Sequence, residues 1–278
     1  MYFRPNTLSE AVQIFAESHG QILSGGTDFF PALGDRAVTG AVVDISGVSE
    51  LRGIVVEPDC VKVGGLATWT EVVAAPLPRS FDGFKSAARE VGSIQIQNRG
   101  TVAGNLCNAS PAADGVPPLL ALDAVIELSS VAGTRRVPLS EFIVGNRKTL
   151  RRSDEILTRV IVPRAVDDAA SVFLKLGARR YLVISIAMVA AVVKMDETGR
   201  VAEARIAVGS CSAVARRLPT LERALVGAPA RAGLGALALA EHVQALSPID
   251  DVRATASYRR GAALTLVARA LDACAGRC

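Results

Sequence analysis

The chain has 278 residues, of which 50% are hydrophobic and 21% charged, with 31 basic against 27 acidic side chains and a net charge of +4. That balance excludes disorder, collagen-like repeats and a disulfide-stapled miniprotein. Charges of both signs are spread along the chain, with no run of Lys or Arg longer than two, so no nucleic-acid partner is expected.

From Thr7 to Glu17 apolar residues recur at helical spacing (Leu8, Ala11, Val12, Ile14, Phe15), which predicts a helix, and Gly20 is placed to end it. A short apolar strand, Gln21 to Ser24, then runs into Gly25-Gly26-Thr27-Asp28. Ala41 to Ile45 reads as a second buried strand and Ser49 to Ile54 as the bend beyond it, so this opening part forms a small βαβ unit. From Cys60 a strand through Gly64 leads into a helix over Leu66 to Val73, with Thr68 or Thr70 as its cap. A further helix is expected over Gly83 to Val91. A Gly- and Asn-rich passage, Gln97 to Ala113, comes next, then a strand from Ala124 to Ser129, and a βα-rich segment closes this part by about Pro163. Asp167 to Ser171 is the expected domain boundary. Beyond it, strands over Ser185 to Lys194 and Ala204 to Gly209 flank the turn Asp196 to Gly199. Leu218 to Ala275 has helical period, broken at Gly227-Ala228-Pro229 and Ser247-Pro248.

Five cysteines, Cys60, Cys107, Cys211, Cys274 and Cys278, form an odd set without a Cys-x-x-Cys pair, and they are expected as reduced, mostly buried thiols. Any iron–sulfur cluster must then sit on another chain. His19 and His242 stand far apart in helical patterns, so no metal-ligating residue and no catalytic base is assigned. The opening Met1 to Asn6 lacks a leader pattern. The longest apolar stretch, Tyr181 to Val193, falls short of the ~20 residues of a membrane span, and a cytoplasmic location is expected.

In two places glycines and small polar residues interrupt apolar strands rather than merely joining them. In Leu23-Ser24-Gly25-Gly26-Thr27-Asp28, glycines after a strand let backbone N–H groups converge on one concavity, which suits a diphosphate. The stretch is not the Gly-x-Gly-x-x-Gly of nicotinamide dinucleotide sites. In the second, Gln95 to Asp114, Gly100 and Gly104 allow close backbone approach. Thr101, Asn105 and Ser110 offer short hydrogen-bonding side chains, and Asp114 can accept from the hydroxyls of a ribityl or ribose group.

Together with Asn146-Arg147-Lys148-Thr149-Leu150, Asp154-Glu155-Ile156-Leu157 and Tyr258-Arg259-Arg260, these stretches resemble the FAD-binding medium subunits of molybdenum hydroxylases, the xanthine dehydrogenase and carbon monoxide dehydrogenase family. The resemblance covers essentially the whole chain. It implies an α+β fold: a two-subdomain FAD-binding domain of the vanillyl-alcohol-oxidase-like (PCMH) type over residues 1–167, with subdomains of about 1–57 and 58–167, then an α+β C-terminal domain over 168–278. It implies FAD held by Gln21, Ile22, Leu23, Ser24, Gly25, Gly26, Thr27 and Asp28, by Thr101, Val102, Ala103, Gly104 and Asn105, and by Asp114, Leu157 and Lys175. It also implies an iron–sulfur small subunit with two [2Fe-2S] clusters, a large subunit with a molybdopterin-type molybdenum cofactor, pairing into a dimer of heterotrimers, and an external electron acceptor. A single-chain flavin reductase of the same flavin fold and a flavin-free scaffold subunit are the alternatives.

One departure stands out. Where the family commonly follows Arg-Arg with an acidic residue close to the flavin, this chain has Arg179-Arg180-Tyr181-Leu182-Val183-Ile184-Ser185. Loss of that charge is expected to ease reduction to an anionic flavin and to change the acceptor preference. Alternatively, Tyr181 to Ile184 begins a core strand.

Overall fold

In the computed structural model, which describes residues 1–230 and 233–277, the chain opens with β1 (Tyr2–Phe3), α1 (Leu8–Ser18), β2 (Gln21–Leu23), α2 (Phe29–Leu33) and β3 (Val42–Asp44). Thr7 caps α1 by accepting from the Glu10 N–H at 3.2 Å. His19, not Gly20, takes the left-handed turn that ends the helix, at φ 47°. Gly20 is needed for a different reason: a Cβ there would lie 2.8 Å from the Ala41 carbonyl oxygen, where β2 comes alongside β3. The strands form a parallel sheet in the order β1-β3-β2, so the expected βαβ unit is present with one strand more than the sequence pattern announced. Ala11, Val12 and Phe15 of α1 pack with Val43 and Ile45, and Leu66 and Ile156 from the following part complete that core.

The middle part runs β4 (Ile54–Val56), β5 (Cys60–Gly64), α3 (Trp69–Ala74), α4 (Asp82–Glu90), α5 (Ile94–Gln97), α6 (Val102–Asn108), α7 (Val116–Ala121), β6 (Val125–Ser130), β7 (Gly133–Pro138), α8 (Leu139–Phe142), β8 (Ile143–Gly145), β9 (Lys148–Thr149) and β10 (Ile156–Pro163). Thr68 is the cap of α3, and Glu71 bonds back to the Thr68 N–H to close a reciprocal capping box. Five strands pair antiparallel in the order β4-β5-β10-β6-β7. Trp69, Phe81, Phe84 and Phe142 fill the core between this sheet and the helices.

The last part contains β11 (Ala170–Leu176), β12 (Ala187–Met195), β13 (Val201–Gly209), β14 (Arg216–Arg217), α9 (Pro219–Leu225) and α10 (Ala256–Ala275), its strands antiparallel in that order. Both faces of this sheet are covered. Ala187, Val189, Ala191 and Val193 of β12 face α10 and α9, while Met188, Ala190 and Val192 face the core built on α4 and α7 of the middle part. That is why β12 reads as an unbroken apolar run rather than an alternating one. Arg259 of α10, 3% exposed, ties the part together: it donates to the carbonyls of Ile186 at 2.8 Å and Ser210 at 3.3 Å, and to Asp251 Oδ1 at 2.6 Å.

Three expectations need correction. Tyr181 to Ile184 does not begin a core strand: Tyr181, Leu182 and Ile184 are each more than half exposed, Leu182 sits at φ 51°, and β12 starts at Ala187. Among the described residues of Leu218 to Ala275, the helical period yields α-helix only at the two ends. Between them lie 3-10 turns at Leu234–Leu237 and Ala240–Val243, because Gly227 at φ 80° and Gly233 at φ 100° turn the chain. Strand β11 begins within the stretch the sequence pattern offers as the domain boundary, Asp167 to Ser171, and no strand is expected there. Cys60, Cys211 and Cys274 are buried as expected and Cys107 is half-buried; Cys278 lies outside the described residues. No described helix is long and apolar enough to cross a membrane.

Candidate functional site

Between the parallel sheet of the first part and the helices of the middle part lies a cleft of about 610 Å³. Its walls come from the loop after β2, the turn before α6 and α6 itself, with Phe15 of α1 at one side and Trp69 of α3 at another. The two loops meet backbone to backbone. A Cβ on Gly25 would fall 2.1 Å from the Arg99 carbonyl oxygen, inside any permitted contact, so only glycine lets the first loop seat on the second. Gly26, at φ 75°, turns the first loop away immediately afterwards. Thr101 caps α6 by accepting from the Gly104 N–H at 3.0 Å, and the Ser24 and Thr101 hydroxyl oxygens stand 3.4 Å apart across the junction. A Cβ on Gly104 would press to 2.8 Å from Thr101 Oγ1. The result is a cradle of backbone and small polar atoms that larger side chains would fill.

The electrostatics of the cleft are positive. Arg147 donates its guanidinium to Asn108 Oδ1, and Arg151 donates to the Glu155 carbonyl at 2.7 Å while lying over the Phe15 ring at 5.7 Å. Neither forms an ion pair with a carboxylate among the described residues, so both charges remain to balance an anion. Cys107, also in the lining, is held as a neutral thiol, with burial pushing its pKa up to about 11. Asn105 Oδ1 is buried without a hydrogen-bond partner, beside the Trp69 ring and Gly115. An orphaned acceptor of this kind on the wall of a polar cleft is an attachment point for a ligand donor.

The structure brings most of the expected site residues to this cleft. Gln21, Ile22, Ser24, Gly25, Gly26, Thr27, Asp28, Thr101, Ala103, Gly104, Asn105 and Leu157 all line it. Leu23 and Val102 are not in the lining; Val102 is fully buried in the core beneath. Asp114 and Lys175 also stand off the cleft, paired with each other. Lys175 Nζ donates to Asp114 Oδ2 at 2.5 Å and Ser185 Oγ donates to Asp114 Oδ1 at 2.6 Å, with both ion-pair side chains 8% exposed. Burial lifts the Asp114 carboxyl above the ordinary carboxylate range, against the pull of Lys175 and Ser185. This knot joins the segment before α7 to β11 and to the segment that leads into β12. Lys175 also borders a second cavity of about 470 Å³ with Glu90, Arg179, Arg180 and Val183, where the departure from the family pattern falls.

Sequence reasoning did not place Phe15, Trp69, Arg147 or Arg151 in the site. Phe15 is legible only as part of a helical period and Trp69 only as part of a helix, and both are core residues that also show an edge to the cleft. Arg147 was visible only as part of a motif string, and nothing in its spacing from Gly104 announces that the two share a cavity.

Comparison with known proteins identifies the family. Residues 1–165 match the family described as the FAD binding domain in molybdopterin dehydrogenase, and residues 172–274 match the CO dehydrogenase flavoprotein C-terminal domain. The chain is 37% identical to the nicotinate dehydrogenase FAD-subunit of Eubacterium barkeri, over 82% of this chain and 80% of that one. It is 32% identical to the xanthine dehydrogenase FAD-binding subunit of Escherichia coli O157:H7, over 93% and 90% of the two chains. Among solved structures, a chain of the carbon monoxide dehydrogenase from Hydrogenophaga pseudoflava that lacks the Mo-pyranopterin moiety of its molybdenum cofactor superimposes with a TM-score of 0.91. It is 28% identical, with 100% of this chain and 97% of that chain covered.

Proposed function

The chain belongs to the family of FAD-binding subunits of molybdopterin dehydrogenases, and from that premise we propose that it is the electron-transfer subunit of a heteromeric molybdenum hydroxylase. It is an oxidoreductase component with the α+β fold of the carbon monoxide dehydrogenase flavoprotein. In this reading it takes electrons from two [2Fe-2S] clusters on a small partner chain, downstream of a molybdenum-cofactor large chain that hydroxylates the substrate, and delivers them to an external acceptor. A dimer of heterotrimers in the cytoplasm is the proposed assembly. Residues 1–167 are the proposed FAD-binding domain, divided at about residue 57, and 168–278 the proposed C-terminal domain.

The observation that carries the proposal is the seating of Gly25 on the Arg99 carbonyl beside the Thr101 to Gly104 turn, opening onto a cleft with two guanidiniums that lack carboxylate partners. Gln21 to Asp28 and Thr101 to Asn105 would hold the diphosphate, and Leu157 would close the floor. Asp114, next in sequence to the Gly115 that packs against Trp69 and Asn105, and its partner Lys175 would set the polarity behind the cleft. FAD supplies the redox chemistry when bound, exchanging electrons singly or in pairs. The protein's own residues bind and orient it, balance the diphosphate charge and, through Trp69, Phe15 and Leu157, keep water from the buried faces of the cleft.

Purification of the native complex, followed by an absorption spectrum and metal analysis, tests the proposal. A flavin band together with iron–sulfur absorption and molybdenum is expected. A yellow protein that purifies gently without iron or partners, and turns over a substrate alone, would replace it with a single-chain reductase.

A further inference from the structure

Arg259 belongs to the last helix, yet the groups it holds lead to the wall of the cleft. Its buried guanidinium donates through one terminal nitrogen to the carbonyls of Ile186 and Ser210 and through the other to Asp251 Oδ1. Both carbonyls lie in segments that grip the turn from Pro111 to Gly115. Ser185, the residue before Ile186, donates its hydroxyl to Asp114 Oδ1 at 2.6 Å. The Ile186 N–H donates to the Leu176 carbonyl at 2.7 Å, next to the Lys175 that holds the other Asp114 oxygen. Ser210 donates its N–H to the Pro111 carbonyl at 3.0 Å.

Ser210 stands at φ 61°, a left-handed conformation that a non-glycine residue keeps only where its surroundings impose it. Its hydroxyl oxygen is buried without a hydrogen-bond partner, so the bonds that hold this turn are those of its backbone, to Pro111 on one side and from Arg259 on the other. At the far end of the gripped turn, Gly115 leaves no slack. A Cβ there would fall 2.4 Å from the Trp69 ring and 3.0 Å from Asn105 Oδ1, and both residues line the cleft. A displacement of the turn is therefore passed on to both.

We infer that Arg259 is a positioning residue for the cleft, on the reading of that cleft as the FAD site: one guanidinium fixes the Ile186 and Ser210 peptides together, these fix the Pro111 to Gly115 turn, and the turn fixes Trp69 and Asn105. Arg259 itself is not in the cleft lining. The role needs the planar fork, because a lysine ammonium is a point charge on a flexible stem and cannot hold two carbonyls and a carboxylate in one arrangement. Arg217 provides the contrast. It too crosses from the last part to the middle part, donating to the Leu120 carbonyl at 3.2 Å and Asp123 Oδ1 at 2.8 Å, but it does so at the other end of α7.

The full-length chain is compared with Arg259→Lys, Ser185→Ala, the double variant and Arg217→Lys by the fluorescence of Trp69, the protein's one tryptophan, and by titration with FAD. Arg259→Lys and Ser185→Ala are each expected to change the Trp69 emission before any flavin is added and to weaken FAD about tenfold. The double variant binds FAD no more weakly than Arg259→Lys alone, because both changes act along one path. Arg217→Lys lowers the melting temperature and leaves both readings in place. Should the buried lysine prevent folding, Ser185→Ala decides the matter by itself. Unchanged emission and FAD affinity in Arg259→Lys or in Ser185→Ala, additive losses in the double variant, or equal changes in Arg217→Lys overturn the positioning role. A wild type that binds no FAD overturns the flavin reading, and the Trp69 emission of the variants then still decides whether Arg259 sets the turn.

Discussion

At the cleft, two loops touch through Gly25 because a side chain is missing, and the polar atoms around the contact stay open to a ligand. In β12 the contact is made by side chains: every residue from Ala187 to Val193 is buried, four facing α10 and α9 and three facing α4 and α7. One region depends on the absence of a methyl group and the other on the presence of many. The first tolerates polarity and fails on added volume, whereas the second tolerates small changes of volume and fails on polarity.

That contrast can be broken hardest in the sheet. Val189→Asp places a carboxylate among apolar groups with no partner, and a loss of more than about 4 kcal/mol is expected, seen as loss of soluble, folded protein. Lys175→Met sits at the border between the regions. It leaves Asp114 buried without its cation and is expected to destabilise the chain by about 3 kcal/mol in denaturant unfolding, whereas the paired change with Asp114→Asn recovers part of the loss. Gly25→Ala sharpens the comparison from the other side. FAD affinity is expected to fall about a hundredfold as the loops are forced apart, and the melting temperature of the apo chain to fall as well, because the clash is with backbone. The smallest effect is at Asp251, which Arg259 links to the Ile186 carbonyl just before β12. The Arg253 backbone N–H, and after it the Arg259 guanidinium, hold this carboxyl down at about 2. Its stabilising contribution is full above the unfolded value of about 3.9 and is lost as pH falls toward the folded one, so Asp251→Asn should flatten stability against pH in that window.

What the sequence displayed and what it concealed follow from the same contrast. The strands β2, β3, β5, β6, β12 and β13 were legible because apolar residues fill them, and the cradle was legible because glycines interrupt that filling. Strand β11 was concealed: its burial on both sides removes alternation, and Ser171 and Lys175 look like loop residues until Gly83 N–H and Asp114 are found opposite them. Arg147 and Arg151 were concealed as site residues because their place depends on β8 and β9 folding back beside α6, a long-range event that no local spacing records. The same holds for Asp114. Its partners lie 61 and 71 residues away, so sequence could name it as an acceptor and could not say that a lysine and a serine would hold it behind the wall.

The sharing of the last sheet between two cores has a consequence for how the protein is made. Until β11, β12 and β13 have left the ribosome, α4 and α7 are covered only by the middle part and lack the second surface of the core that holds Phe84 and Leu119. A chain truncated before β11 is therefore expected to leave one face of the middle-part core, and the cleft built on it, uncovered.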